Sequence, residues 1–501
     1  MNTIYELLKF RGNTHPERKA LFFEGKSYTY SELIHSIERY KEILISLGLQ
    51  KGEKFAILEL NTPNALFLFY AGGCLGIIPV ILNWRLTKDE IQYILNDSNT
   101  KLLFFGKDFQ SLAKEISISK IQLTEDLLKN EKAIKIKSNP ILESDIFIQL
   151  YTSGTTGFPK GVPLSNKNLL SVVRNLATEL PGFGADTVNL VCAPFFHIGG
   201  IGYSLLTTYI GGEIILFRKF DAEAIAKSIQ DNKITNALLV PAMLQAIVSL
   251  PQITKVNFSS LRNIQHGGSP ISLSLLRKAK SVFGCYFTGA YGLTETSGIS
   301  TLLRFDLQEK GLSEGADLKD IQRLSSVGKA SPEMNIRIIK DNGDYAISGE
   351  IGEVCIKGDY VFQGYANEIN GKAFDENGWF HTGDIGLIEE DGYLYLLDRK
   401  NDMILSKSEN IYPIEVERVL AAHPSVVDVA VVGLPDEEFG EIIAAFIVGK
   451  EKSLLNETSI ISFAKQKLAG YKIPRKIFFV EEIPRNLSGK ILRKELKEKY
   501  K

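Results

Sequence analysis

The run Tyr151-Thr152-Ser153-Gly154-Thr155-Thr156-Gly157-Phe158-Pro159-Lys160-Gly161 concentrates hydroxyls, glycines and one lysine between two apolar segments. Polyphosphate is the ligand this mixture suits. Glycines let the backbone approach phosphate oxygens, N–H groups and hydroxyls donate to them, and the lysine supplies charge. The P-loop spacing is not met, because Gly154 and Gly157 lie too close together and Pro159 precedes Lys160. A Gly/Ser-rich linker is the competing explanation. The flanks argue against it: Asp145–Leu150 reads as a strand entering the loop and Asn168–Val173 as a helix leaving it. Strand–loop–helix junctions of this kind recur as anion sites.

Further residues fall into chemically legible groups. In Tyr291-Gly292-Leu293-Thr294-Glu295 the aromatic ring can stack on a purine, and a glutamate among phosphates calls for a cation. Alone, such a segment is a turn with a surface glutamate. Trp379-Phe-His-Thr-Gly-Asp384 ends in a carboxylate that could accept both hydroxyls of a ribose, with a turn-capping aspartate as the bland alternative. Pro484-Arg-Asn-Leu-Ser-Gly-Lys490-Ile-Leu-Arg493 sets a lysine after a Ser-Gly turn, where an ordinary solvated lysine is the competitor. Ala193-Pro-Phe-Phe196-His197-Ile-Gly-Gly200 and Gln265-His266-Gly267-Gly268-Ser269-Pro270 bring aromatics and close-packed glycines, as the walls of an apolar pocket would. Core packing competes on equal terms for Phe195 and Phe196.

In wording and order these motifs resemble the adenylate-forming (AMP-binding) superfamily: acyl- and aryl-CoA synthetases, peptide-synthetase adenylation domains and luciferases. The resemblance spans nearly the whole chain. It implies an α/β fold with a large N-terminal domain of parallel and mixed sheets with helices, a small antiparallel barrel-like section, and a small α+β C-terminal lid. It implies ATP, Mg2+ and CoA as co-substrate. ATP would be held by Thr152, Ser153, Gly154, Thr155, Thr156, Gly157, Lys160, Gly268, Ser269, Ala290, Tyr291, Gly292, Thr294, Asp384 and Arg399. Glu295, with Thr155, would hold Mg2+. Lys490 would bridge the substrate carboxylate and the α-phosphate, and His197 would stand near the carboxylate and the thiol entrance. Phe196, His197, His266, Gly267, Lys407 and Ser408 would border the acyl and CoA pocket, with the hinge at Asn401. One departure stands out: Ser406-Lys407-Ser408-Glu409-Asn410-Ile411 carries Lys407 and Ser408 where the family has glycines, which bears on the CoA step rather than on adenylation.

The wording of HGGSPIS and YGLTETSG resembles fatty-acyl-CoA ligases, so a medium- or long-chain fatty acid is the expected substrate. An aryl-CoA ligase, or an enzyme that loads a separate acyl carrier protein, is the alternative. Amino-acid activation lacks the family's aspartate around Ala193–Phe196. A non-catalytic nucleotide-binding protein is the distant alternative, opposed by intact Lys160, Glu295, Asp384 and Lys490.

The elements that must position these residues follow a βαβ rhythm. Lys54–Leu58, Lys101–Phe105, Val188–Val191 and Glu213–Phe217 read as strands, with helices over Ser31–Leu47 and Ala222–Gln230 between them. From Asp341 to Leu397 short glycine-broken strands take over. After the charged run Asp398–Asp402 a smaller module begins, with a helix Pro413–Ala421, strands Val426–Val432 and Ile442–Val448, and a helix Glu457–Leu468. The expected domains are 1–397 and 398–501. A chain of 501 residues, 44% hydrophobic and 23% charged with a net charge of −1, offers no global attraction for nucleic acid or anionic membrane. The basic residues Lys490–Lys499 read as a solvated amphipathic helix. Four scattered cysteines indicate reduced thiols and a cytoplasmic protein, and the six histidines lack zinc-ligand spacing. The N-terminus has charges inside its apolar stretch and reads as no signal peptide. The uncharged run Ala65–Leu82 is long enough to consider as a membrane span, but Gly72, Gly73, Gly76 and Pro79 favour a buried helix and a short strand. Peripheral membrane contact during fatty-acid pickup stays open, as does monomer against homodimer.

Overall fold

The computed structural model describes residues 1–124, 127, 140–152, 159–340, 342–367, 373–399, 402–406, 409–436, 439–450, 456–485 and 491–500, and of 398, 399, 409 and 410 the backbone only. Two compact units emerge. One comprises Met1–Asn335 with Ile356–Phe380, the other Ile336–Cys355 with His381–Lys501.

The first unit holds two sheets. A six-stranded sheet has the order Lys120–Gln122, Leu102–Phe105, Lys54–Leu58, Ile78–Ile81, Ile146–Thr152, Lys160–Ser165. Its strands run parallel except the last pair. The apolar run at 65–82 becomes a buried helix, Pro63–Leu75, and the strand Ile78–Ile81. Thr62 caps the helix by accepting from Ala65 N, Pro63 opens it, and Gly76 closes it at φ +68°. Gly72 and Gly73 let it press onto the sheet: a Cβ there would stand 2.6 Å from the Phe55 ring and 2.3 Å from that of Phe147. Among the described residues no helix is long and apolar enough to cross a membrane.

The nine-stranded sheet is parallel through its middle, from Tyr286–Tyr291 across Asn263–Gly267, Asn236–Leu238, Val188–Val191 and Glu213–Leu216 to Lys19–Phe23. Antiparallel strands close both ends. On one face Leu190, Ile215, Ile264 and Phe287 pack against Ile225, Ile229, Leu244, Leu276 and Phe283 from three helices. The helix Ile198–Ile210 covers the other.

The chain after Thr152 departs from the expected strand–loop–helix junction. A second strand, Lys160–Ser165, pairs antiparallel with Ile146–Thr152, so the two strands form a β-hairpin. The helix Asn166–Glu179 starts only after Ser165, whose hydroxyl accepts from Asn168 N. Val162 and Leu164 are buried in alternation, and Pro163 is tolerated because this strand lies on the sheet edge.

The second unit carries a four-stranded sheet ordered Met334–Ile339, Gly352–Gly358, Phe380–Ile388, Leu394–Arg399, whose first three strands also carry the chain across the unit boundary. A five-stranded sheet follows, built on the antiparallel pair Val426–Asp436 and Gly440–Gly449. Both faces of that pair are covered. Val429, Val431 and Ile443 meet the helices Pro413–Ala421 and Glu457–Lys465, while Val432, Ala444 and Phe446 meet Leu496 and Tyr500. The C-terminal helix Arg493–Lys499 is therefore half core: Leu496 is buried and Tyr500 lies edge-on to Phe446.

Candidate active site

In the first unit three segments converge on one buried carboxylate. Glu295 sits on the single turn Thr294–Thr296 and is 6% exposed. Its Oε1 accepts from the Tyr365 hydroxyl at 2.9 Å, and Thr152 Oγ1 approaches to 3.5 Å. Its carbonyl accepts from Phe362 N at 2.8 Å. Thr152 is the register partner of Lys160, whose Nζ lies 4.7 Å from the centroid of the Tyr365 ring. A glutamate, two hydroxyls and a lysine thus share one pocket of chain. A carboxylate taken out of water needs hydrogen bonds or a cation, and Mg2+ binds through one or two carboxylates plus substrate phosphates. Glu295 fits that role. Among the described residues no three His, Cys, Asp or Glu side chains form a metal cage.

The hairpin that brings Thr152 and Lys160 here is clamped from beneath. Tyr151 donates its hydroxyl to Asp97 Oδ2 at 2.6 Å and accepts from Gln149 Nε2 at 3.2 Å. The Asp97 carbonyl accepts from Asn367 Nδ2, and Ala366 N donates to Gly161 O at 2.9 Å. Gly161 is tightly enclosed: a Cβ would stand 2.6 Å from Gln149 Nε2 and 3.1 Å from Ala366 Cβ, so a larger residue would displace the Gln149 side chain.

Gly267 and Ala290 are register partners at the carboxyl ends of adjacent parallel strands, and Gly268 and Tyr291 follow them. Ligands of open α/β sheets bind at such ends. Gly268 takes φ +76°. At Gly292 a Cβ would stand 2.4 Å from the Gly298 carbonyl, so only glycine lets the chain fold back after Tyr291. Tyr291, Gly292, Thr294 and Ser269 are half-buried, available to a ligand on this rim. Before Tyr291 the chain passes from the end of the helix Leu273–Phe283 through a turn at Gly284, φ +65°, into the strand Tyr286–Tyr291.

His197 caps the helix Ile198–Ile210 by position, without a side-chain cap bond. Its ring lies 4.5 Å from that of Phe196, which meets Trp84 edge-on at 6.2 Å. The Arg85 guanidinium stacks 3.9 Å over Trp84. Burial and then the charge of Arg85 push the His197 imidazole down to about 4. Phe195 turns the other way, onto Phe69 in the core. His266 points away from its neighbour Gln265, as strand alternation requires. It is 5% exposed, hydrogen-bonds Gln308 at 3.3 Å, and is pushed by burial to about 4.

In the second unit Asp384 lies inside the strand Phe380–Ile388, not on a turn, and pairs in register with Arg399. Gly383 before it takes φ +72° and donates its N–H to Glu353 Oε1 at 3.1 Å. Thr382 Oγ1 accepts from Asp384 N at 3.0 Å, and Asp384 is 6% exposed. Ser153, Gly154, Thr155, Thr156, Gly157, Asn401, Lys407, Ser408 and Lys490 lie outside the described residues, as does the Arg399 side chain.

Sequence reasoning did not single out Tyr365, Asp97, Trp84 or Arg85. Tyr365 belongs to no periodic element. Asp97 ends a helix (Lys88–Asp97) far from the loop in sequence. Only the paired Trp84-Arg85 after an apolar strand carried a visible signal.

The sequence profile of AMP-binding enzymes matches residues 8–366, and that of the AMP-binding enzyme C-terminal domain matches 415–490. A 2-succinylbenzoate–CoA ligase of Bacillus cereus is 34% identical over 500 residues, 99% of each chain. A fatty acid–[acyl-carrier-protein] ligase of Streptomyces coeruleorubidus is 32% identical over 517 residues, covering 100% of this chain and 97% of its own. The o-succinylbenzoate CoA synthetase of Bacillus subtilis, solved with its acyl-adenylate intermediate, superposes with a TM-score of 0.86 at 32% identity, over 98% of this chain and 97% of its own. With a profile covering most of the chain and relatives matching it end to end, the chain belongs to the AMP-binding, adenylate-forming enzyme family, AMP-forming acid–thiol ligases that use ATP, Mg2+ and CoA.

Proposed function

We propose that this ligase activates an aromatic carboxylic acid and passes it to CoA, in place of the medium- or long-chain fatty acid suggested by the wording of its motifs. The observation that carries this is the end-to-end match, at 34% identity and 99% coverage of both chains, to an enzyme acting on 2-succinylbenzoate. The Trp84–Phe196–His197 rings, packed edge-on and tilted, form an aromatic cluster consistent with it.

In the first half-reaction a carboxylate oxygen attacks the α-phosphorus and pyrophosphate leaves. No general base is needed, because the carboxylate is already ionised at neutral pH. The chain's part is positioning and neutralising charge. Lys160 and the loop hydroxyls meet the outer phosphates, Tyr291 stacks on adenine, Asp384 accepts the ribose hydroxyls, and Lys490 bridges carboxylate and α-phosphate. Glu295, oriented by Tyr365, would hold Mg2+, which neutralises phosphate charge. In the second half-reaction the CoA thiolate attacks the acyl carbonyl and AMP leaves. An imidazole held near 4 is too weak a base for a thiol of ordinary acidity, so His197 orients groups by hydrogen bonding. Residues 398–501 would serve as a lid with its hinge near Asn401.

The Streptomyces relative favours one second reading, transfer to a carrier protein. The test is acid-dependent ATP–pyrophosphate exchange over 2-succinylbenzoate, benzoate, coumarate, octanoate and palmitate, then thioester formation with CoA or a holo carrier protein. Exchange and CoA thioester with the aryl acids support the proposal. Exchange confined to octanoate and palmitate refutes it, and a carrier thioester without a CoA thioester selects the second reading.

A further inference from the structure

The sheet face under the helix Ile198–Ile210 is polar where a buried parallel sheet is normally aliphatic. Asn189, Asn236 and Asn263 form one rung across three neighbouring strands, since Asn236 is in register with both others. None is more than 1% exposed. Asn189 Nδ2 donates to Thr207 Oγ1 on that helix at 2.7 Å, which fixes the face it lies on. Two residues further along the strands, on the same face, Gln265 and Thr288 pair in register. The Tyr203 hydroxyl, from the helix, donates to Gln265 Oε1, and Thr288 Oγ1 donates to Asn263 Oδ1 at 3.0 Å. Two residues further again come Gly267 and Ala290, at the rim that leads to Gly268 and Tyr291. At the mouth the helix and sheet touch closely, for a Cβ on Gly199 would stand 2.9 Å from Leu238 Cδ2.

This layer has hydrogen-bonding capacity that the fold leaves unused. Asn263 Nδ2 and Asn189 Oδ1, one donor and one acceptor, are buried without a hydrogen-bond partner. Native interiors rarely leave such atoms unserved. The layer is built from Asn, Gln, Thr and Tyr, with no charged side chain among these residues. A neutral oxygen can be received there, with a donor and an acceptor already in place to pair it.

We propose that Tyr203, Gln265 and Asn263 form the closed polar floor of the acyl pocket. The floor limits substrates to about one arene in length and selects those with a hydroxyl or carbonyl oxygen at the far end. The inference rests on the aryl-acid function proposed above. An acyl group entering at the level of Gly267 meets the Tyr203–Gln265 pair two residues down, ~7 Å along a strand, whereas a palmitoyl chain needs roughly three times that depth. A site built to hydrogen-bond a substrate hydroxyl discriminates strongly against the analogue lacking it, because its own buried polar groups are then left unpaired.

The test compares para-hydroxyphenylpropanoate, phenylpropanoate and palmitate in ATP–pyrophosphate exchange, with the full-length enzyme and its Tyr203→Phe and Gln265→Leu variants. Far-UV circular dichroism and melting temperature verify folding, and Tyr203→Phe is close to isosteric. In the unmodified enzyme the hydroxylated acid should exceed its deoxy partner in kcat/KM by at least ~10-fold, and palmitate should fall below both. In the variants the ratio of the hydroxylated to the deoxy acid should collapse towards one. Aryl acids activated with a ratio near one, a ratio unmoved by either variant, or palmitate equal to phenylpropanoate would each overturn the floor alone. No exchange with any aryl acid would overturn the aryl-acid function, and the floor with it.

Discussion

At the scale of residues, the site is held by a few side chains whose protonation and contacts the surroundings dictate. Tyr365 gives Glu295 a hydroxyl partner and offers its ring face to Lys160. Tyr365→Phe removes the first contact and keeps the second. It should raise the KM for MgATP in exchange by ~10-fold, the scale of one hydrogen bond to a charged group, and Tyr365→Ala should cost more. His266 tests the electrostatics. Burial lowers its folded-state value from 6.5 to about 4, so between those limits the unfolded chain binds more protons. Stability contributed by neutral His266 is therefore complete above about 6.5 and is lost as pH falls towards 4, by up to ~3 kcal/mol. Urea midpoints measured from pH 7 down to 4.5 should show this slope, and His266→Gln should flatten it.

At the scale of elements, the hairpin of Ile146–Thr152 and Lys160–Ser165 is positioned by what lies beneath it. Tyr151, Asp97, Asn367 and the Ala366–Gly161 bond tie the hairpin, a helix end and the segment carrying Tyr365 into one unit. Tyr151→Phe breaks the tie at Asp97 without touching the loop. It should raise the KM for MgATP several-fold while leaving the KM of the acid unchanged; an equal rise in both would show a general loss of packing instead. The turn after Tyr291 has no slack, since a Cβ at Gly292 collides with the Gly298 backbone. Gly292→Ala should lower stability by ~1–3 kcal/mol in a denaturant titration and weaken nucleotide binding with it.

At the scale of the whole molecule, the chain forms two units, each with its own core. Of the residues given roles in the proposed chemistry, Glu295, Thr152 and Lys160 belong to the first unit and Asp384 and Lys490 to the second. Lys490→Ala should lower exchange by ~10²–10³, the scale of one lost charge-stabilising donor, while ATP binding measured by calorimetry persists. Loss of binding with no change in turnover per bound nucleotide would contradict the role given to Lys490.

Much of the fold was legible in the sequence because it rests on short-range regularities. The helix at 413–421, the strand at 54–58 and the buried helix within 65–82 follow from periodicity, capping threonines and glycines, which act over a few residues. The phosphate-binding role proposed for Tyr151–Gly161 is likewise read from local composition, since residue type alone suggests that chemistry. The hairpin was not, because Lys160–Ser165 becomes a strand only by pairing with Ile146–Thr152 at the sheet edge. Nor were Asp97 and Tyr365, which are remote in sequence and meet the loop only through the folded sheet. The asparagine rung shows the same limit. Asn189, Asn236 and Asn263 look unrelated in the chain, and parallel strand register alone sets them side by side under one helix.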